Sequence, residues 1–219
     1  MINTIDYITS FISFIPFILG ILFFRFASLD VRVFIIGFMV AAVFDLILFL
    51  LAHNRINNLP IVNTYTLVDA FILIYAFSLH FKITKIRLGM LLLALAYSII
   101  WAWDNFIVGD IFSFNAIEKS VKCLLLSGIS TYYLFKISKE IKIPIFRNTK
   151  FWIGLGYLMY FSITFLLFAT SSWFFHESHR SVMHFTWTLH SVFAIMANLV
   201  FSYALLCLYR NRNLYSSSP

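Results

Sequence analysis

Seven runs of apolar residues divide the chain, each set off from the next by a short polar interruption. They lie at Tyr7–Phe24, Val33–Leu51, Val62–Phe81, Leu88–Phe106, Ala116–Ile137, Phe151–Phe174 and Val182–Leu208. A helix rises 1.5 Å per residue, so about 20 residues cross the hydrocarbon of a bilayer, and each run is close to that length. Backbone groups in lipid must be satisfied within the segment, which makes the helix the form these runs take. The pattern therefore predicts an all-α fold, a polytopic transmembrane bundle of about seven helices forming a single domain over 1–219. No linker or composition shift marks a second domain, and no internal repeat has a clear period. Seven spans fit an inverted-repeat transporter poorly, because paired halves give even numbers. The first run is expected to be a retained helix and not a signal peptide, since Met1 to Asp6 lack a basic flank and Arg25 and Arg32 follow the run instead. Pro16 is expected to kink it.

Composition agrees with this reading. The chain is 62% hydrophobic and 11% charged, against about half and about a quarter in soluble domains. The net charge of +7 would suit a nucleic-acid partner, but the basic residues sit in short loops between apolar runs. There they act as topology signals. One side carries Arg25, Arg32, Lys82, Lys85, Arg87, Lys136, Lys139, Lys142, Arg147, Lys150, Arg210 and Arg212; the other carries Arg55, Lys119, Lys122 and Arg180. That is twelve against four. The richer side is expected to be cytoplasmic, which puts the N-terminus outside and the C-terminus in the cytoplasm. A multi-pass protein of the cytoplasmic membrane of a bacterium is the expected setting, with no nucleic acid as partner. Cys123 and Cys207 fall inside apolar runs without metal-ligand spacing and read as small buried hydrophobes.

Ionisable groups inside a membrane cost about 2.5–3.5 kcal/mol each on insertion scales, so each needs a reason. Asp45, late in the second run, and Asp69, early in the third, fall at matching depth on consecutive antiparallel helices, and should share a site or a cation. Tyr65 precedes Asp69 by one turn. Asp104 ends the fourth run, with Trp101 and Tyr97 on the same face; Trp101, Trp103 and Trp173 also read as interfacial anchors. Glu118 and Lys122 open the fifth run at the favourable i, i+4 spacing for an ion pair, although an aspartate is an equal partner for Lys122. In the seventh run, His184, Trp187, Thr188, His190, Ser191, Ala194, Asn198 and Ser202 share an arc of roughly 160°. Phe185, Leu189, Val192, Phe193, Met196, Leu199 and Val200 fill the opposite arc. Asp45, Asp69, Asp104, Glu118, Lys122, His184 and His190 then share the outer half of the bundle, and the inner half is almost wholly apolar apart from small residues, Tyr and Asn198. A polar chamber opening outward accounts for this asymmetry, with Asp45, Tyr65, Asp69, Trp101, Asp104, Glu118, Lys122, His184, Trp187 and His190 as candidate ligand-binding residues. The competing account is a set of interhelical hydrogen bonds that only hold helices together. Gly37 and Ala41, one turn apart, read as close helix packing. His176 and His179 read as residues of a solvated loop.

No lysine lies in the seventh run to carry retinal, and the Asp-Arg-Tyr and Asn-Pro-x-x-Tyr signatures of G-protein-coupled receptors are absent. Tyr65-Thr66-x-x-Asp69, Phe151-Trp152-Ile153-Gly154 and Tyr160-Phe161-Ser162 resemble a group of bacterial seven-helix integral membrane proteins, a resemblance that implies no activity. Asp45, Asp69 and His184 or His190 loosely resemble the zinc site of ceramidase and adiponectin-receptor-like membrane hydrolases. The paired histidines three apart on the last helix are missing, because His184 and His190 are six apart. The expected function is a non-enzymatic sensor or receptor-like bundle binding a small-molecule or lipid ligand in the outer chamber. A cytoplasmic partner protein would meet the basic segment Lys136–Lys150. Neither a cofactor nor a metal ligand set is assigned. A membrane-embedded hydrolase of a lipid or amphiphile is the alternative, and a proton-coupled transporter or channel the third.

Overall fold

The seven runs fold into seven α-helices: α1 (Thr4–Phe23), α2 (Leu29–His53), α3 (Leu59–His80), α4 (Thr84–Trp103), α5 (Ala116–Glu140), α6 (Thr149–His176) and α7 (Arg180–Arg210). The structure, a computed structural model, describes residues 4–81, 83–140, 144–176 and 180–211; for residues 4, 6, 7, 10, 172–176 and 180–184 it describes the backbone alone. Among the described residues there is no strand. The helices overrun the apolar runs at most ends, because polar residues at a membrane boundary continue a helix at little cost. α4 is followed by a π-helical turn, Asp104–Val108. The turn between α2 and α3 passes through Arg55 at φ 56°, the left-handed step common after a helix end. α1 continues through Pro16 as one helix.

Among the described residues, five helical segments are long and apolar enough to cross a membrane: Leu29–His53, Leu59–His80, Thr84–Val108, Thr149–Ser171 and Phe185–Arg210. α5 is as long but carries charge near both ends. Its Glu118, Lys119 and Lys122 are buried, so these charges face the bundle and not its surroundings. The exposed surface of the bundle is instead rich in Leu, Ile and Phe, as lipid contact requires. The chain is thus a multi-pass membrane protein by its architecture.

Helix pairing defines a ring. α1 packs on α2 and α7, α2 on α3, α3 on α5, α5 on α6, and α6 on α7. α4 stands outside it against α3 and α5, with Leu88, Leu91, Leu92, Leu95 and Ile99 exposed. The middle of the ring is closed by aromatic side chains. Phe34, Phe77 and Tyr133 are fully buried, with ring centroids 5.0 Å apart for Phe34–Phe77 and for Phe77–Tyr133. Tyr157 joins them, 5.7 Å from Phe34 and 4.6 Å from Phe201. Two glycines of α6 admit this packing. A Cβ on Gly156 would sit 2.5 Å from the Phe201 ring, and one on Gly154 2.9 Å from Tyr133. The side of the plug nearer the start of α1 is here termed the N-terminal end, and the other the C-terminal end.

Candidate ligand-binding site

Above the plug, toward the N-terminal end, the six ring helices enclose a cavity of about 180 Å³. Each helix contributes by its position in the ring: Ser13 and Pro16 from α1, Gly37, Ala41 and Asp45 from α2, Tyr65 and Asp69 from α3, and Lys122 from α5. α6 adds Tyr157, Tyr160 and Phe161, and α7 adds His190, Ala194, Asn198 and Phe201. α4 contributes none of the lining. Small residues face the space where α2 and α7 would otherwise fill it. Gly37 and Ala41, expected only to bring helices together, are therefore part of the cavity wall, although a Cβ on Gly37 would also press on Ile72 at 3.3 Å.

The polar groups in the cavity are unevenly matched. Lys122 Nζ donates to Asp69 Oδ2 at 3.0 Å and lies 5.9 Å from the centre of the Phe161 ring. His190 Nε2 and the Tyr160 hydroxyl are 3.1 Å apart. Asp45 receives a hydrogen bond from Ser13. Among the described residues no Lys, Arg or His lies within ion-pair distance of Asp45. The expected proximity of the two aspartates holds: they line one cavity. The lysine in the same cavity, Lys122, pairs with Asp69.

A second polar cluster lies behind this one, between α3, α4 and α5. Glu118 and Lys119 are 0% and 1% exposed, and Lys119 Nζ donates to Glu118 Oε1 at 2.7 Å. The same ammonium donates to Asn63 Oδ1 and to the Asn115 carbonyl, so its three donors have three acceptors. Tyr97 donates to Glu118 Oε2 at 2.9 Å, and the Thr66 hydroxyl is within 3.3 Å of both Glu118 oxygens. Asn63 donates its two amide hydrogens to the carbonyls of Ile111 and Ser113, at 2.8 and 3.0 Å. Asp104 Oδ2 accepts the backbone N–H of Glu118 at 3.0 Å, capping the first turn of α5 from the π-helical turn. Asn115 bridges Asn105 and the Asp110 carbonyl. This network ties the 109–115 loop to three helices.

The single chamber expected from sequence is therefore two sites. Asp45, Tyr65, Asp69, Lys122 and His190 share the cavity. Trp101, Asp104 and Glu118 belong to the loop network, where Trp101 turns inward and its Nε1 donates to the Asn63 carbonyl at 2.8 Å. The Glu118–Lys122 pair does not form, because a cross-helix carboxylate is nearer to Lys122 and the adjacent Lys119 is nearer to Glu118. Trp187 is 38% exposed and meets the Phe114 and His190 rings edge-on, at the rim. The side chain of His184, like those of His176, His179 and Trp173, lies outside the described residues. On α7, Phe185, Val192, Met196 and Leu199 are exposed and Ser191 is buried, in line with the two arcs of the projection; Trp187, on the inward arc, departs from it.

The expectation of an apolar inner half is overturned at the C-terminal end. Asp30 of α2 is buried and pairs with Lys150 of α6. His80 of α3 lies between Asp30 (3.7 Å) and Glu140 of α5 (3.6 Å), with its ring 4.9 Å from Tyr133. Lys136 lies 3.8 Å from Glu140. Asp30, Glu140 and Lys150 fall at helix ends outside the apolar runs, while His80 and Lys136 fall in the last residues of theirs, where the sequence reading singled out no polar cluster.

Among the described residues no three His, Cys, Asp or Glu side chains are grouped to hold a metal ion. Cys123 and Cys207 are free and buried. No protein-family model, curated protein or solved structure shows detectable similarity to this chain.

Proposed function

We propose that the chain is a receptor-like membrane protein that binds a small ligand in the six-helix cavity. The observation that carries this reading is the cavity itself: a water-accessible space in the ring, with a carboxylate, Asp45, that no side-chain cation among the described residues neutralises. A group that only glued helices would be expected to have its polar atoms matched, as Glu118 and Lys119 have. The volume of about 180 Å³ lies below the roughly 300–1,000 Å³ of pockets for drug-sized ligands, so the occupant has few heavy atoms.

The cavity opens, on this reading, to the cell exterior, and the C-terminal end faces the cytoplasm of a bacterium. The twelve-to-four charge bias supports that orientation. The helices that line the cavity include α2, α3, α5 and α6, which the Asp30–His80–Glu140–Lys150 cluster joins at the opposite end. Occupancy would shift these helices against one another beside the basic segment 136–150, where a cytoplasmic partner protein would read the change. The test is native mass spectrometry of the purified protein. A co-purified small molecule should be present in the wild type and absent from Ala194→Trp, which fills the cavity. Cysteine labelling in intact cells should modify Asp110→Cys and spare Lys85→Cys; the reverse pattern would invert the orientation.

A second reading has its own support. Polar clusters on both sides of an aromatic plug resemble a closed state of a carrier, with Phe34, Phe77 and Tyr133 as the gate between them. Uptake of a bound ligand into sealed proteoliposomes would favour the carrier, and binding without uptake the receptor.

A further inference from the structure

We infer that the cavity ligand is a small organic cation of the alkylammonium class, with Asp45 as its counter-ion; this rests on the cavity being a ligand site. The cavity already holds one example of the chemistry. The Lys122 ammonium sits between the Asp69 carboxylate, 3.0 Å away, and the Phe161 ring, 5.9 Å from its centre. A carboxylate on one side and a ring face on the other is the arrangement that recognises ammonium groups. Asp45 repeats the first half of that arrangement without a lysine. Tyr65, Tyr157, Phe38 and Phe201, on the same cavity wall, supply the second half. Three of these rings form a connected surface: Phe38–Phe201 at 4.8 Å, Tyr157–Phe201 at 4.6 Å and Phe38–Tyr157 at 6.2 Å.

Charge and wall chemistry exclude the other occupants. With Asp69 matched by Lys122, an ionised Asp45 adds a negative charge that no cation among the described residues balances, and that charge repels an anion. A neutral ligand would leave Asp45 to take up a proton or stay uncompensated, whereas a cation lets it remain ionised. A hard metal cation needs about six oxygen ligands. Here the wall around Asp45 is mostly aromatic rings, Pro16 and the small residues Gly37, Ala41 and Ala194, which suit the weakly hydrated surface of an alkylammonium group.

The experiment is calorimetric titration of the purified protein in lipid nanodiscs with tetramethylammonium chloride. Sodium chloride and the uncharged isostere tert-butanol are the matched controls. Tetramethylammonium should bind saturably, and neither control should compete. Asp45→Asn should weaken binding by about tenfold or more, and Tyr157→Leu by a smaller factor that Tyr157→Phe restores. Tert-butanol binding as tightly as tetramethylammonium, sodium competing at equal concentration, or Asp45→Asn binding unchanged would each overturn the inference. The tert-butanol comparison uses wild-type protein and needs no variant to fold. If native mass spectrometry finds an occupant that Ala194→Trp removes, yet tetramethylammonium does not bind, the cavity reading stands and the alkylammonium assignment falls. If neither an occupant nor any probe binds, both fall.

Discussion

Two groups of charged residues, one turn apart on the same helix, behave in opposite ways. Glu118 and Lys119 are fully buried, and each of their polar atoms has a partner among Asn63, Thr66, Tyr97 and Asn115. Lys122 lines a cavity with Asp69, together with an Asp45 that accepts from Ser13 and, among the described residues, pairs with no cation. Both groups would be scored alike as intramembrane ionisable residues. What separates them is satisfaction. A saturated network has no valence left for a ligand, and its removal should damage the fold. An unsaturated group beside empty space contributes little to the fold and is retained at some cost to it. The four predictions below widen or collapse that contrast.

The largest effect belongs to the saturated network. Lys119→Met should remove the cation hydrogen-bonded to Glu118 and leave a buried carboxylate without its ion pair, a loss of about 3–5 kcal/mol. For a chain of this size that lowers the melting temperature by on the order of 10 °C. Differential scanning fluorimetry in detergent reads it directly. A drop no larger than that of a lipid-facing change such as Leu91→Ala would mean that Glu118 finds another partner and the network is not the clamp described here.

Asn63→Ala comes next, at about 3 kcal/mol, because it takes one acceptor from a buried ammonium and two donors from loop carbonyls. Its distinctive signature is local. Hydrogen exchange should accelerate across 109–115 while the α6–α7 half of the ring stays protected; uniform acceleration would place Asn63 in the general core instead.

Asp30→Asn at the C-terminal end should cost less, about 1–2 kcal/mol, because Lys150 is partly solvated there and can relax toward water. The destabilisation should shrink when Lys150→Met is added, since the orphaned cation is then gone. A double-mutant cycle measures that coupling. Additive losses would show that Asp30 and Lys150 act separately.

The sequence made the seven helices legible because lipid contact imposes long apolar runs, and a run of that length has one structural outcome. It made Asp45, Asp69 and the polar arc of α7 legible for the same reason, as polar residues surrounded by apolar ones. Three things stayed hidden. Asn63, an uncharged residue at a run's edge, carries no signal that it will organise a loop 48 residues away. Lys119 reads as a loop charge, and only the fold turns it inward. Asp30 and His80 are 50 residues apart and fall at helix ends, where charge is ordinary; their meeting depends on α2 and α3 packing along their whole length. The division of one expected chamber into two sites was likewise a matter of direction around α5. Residues 118, 119 and 122 lie on adjoining faces, and the i, i+4 rule links 118 with 122 only when no better partner stands across the interface.

The smallest expected effect is also the sharpest test of the contrast. Asp45→Asn keeps the side chain's shape and its ability to accept from Ser13, and removes the charge. That charge sits in a low-dielectric space with a hydrogen bond from Ser13 and, among the described residues, no paired cation, so its removal relieves a desolvation cost. Stability should therefore change by less than about 1 kcal/mol, and in the stabilising direction. Asp69→Asn makes the matched control. It orphans Lys122 and should destabilise, although Asp45 is nearby and can draw the freed ammonium across the cavity. Adding Asp45→Asn to Asp69→Asn removes that refuge, so the double variant should be less stable than the sum of the two single changes. Thermal unfolding of the four proteins decides the matter. If Asp45→Asn alone is as damaging as Lys119→Met, then Asp45 is a structural residue like Glu118, and the cavity loses its claim to be a binding site.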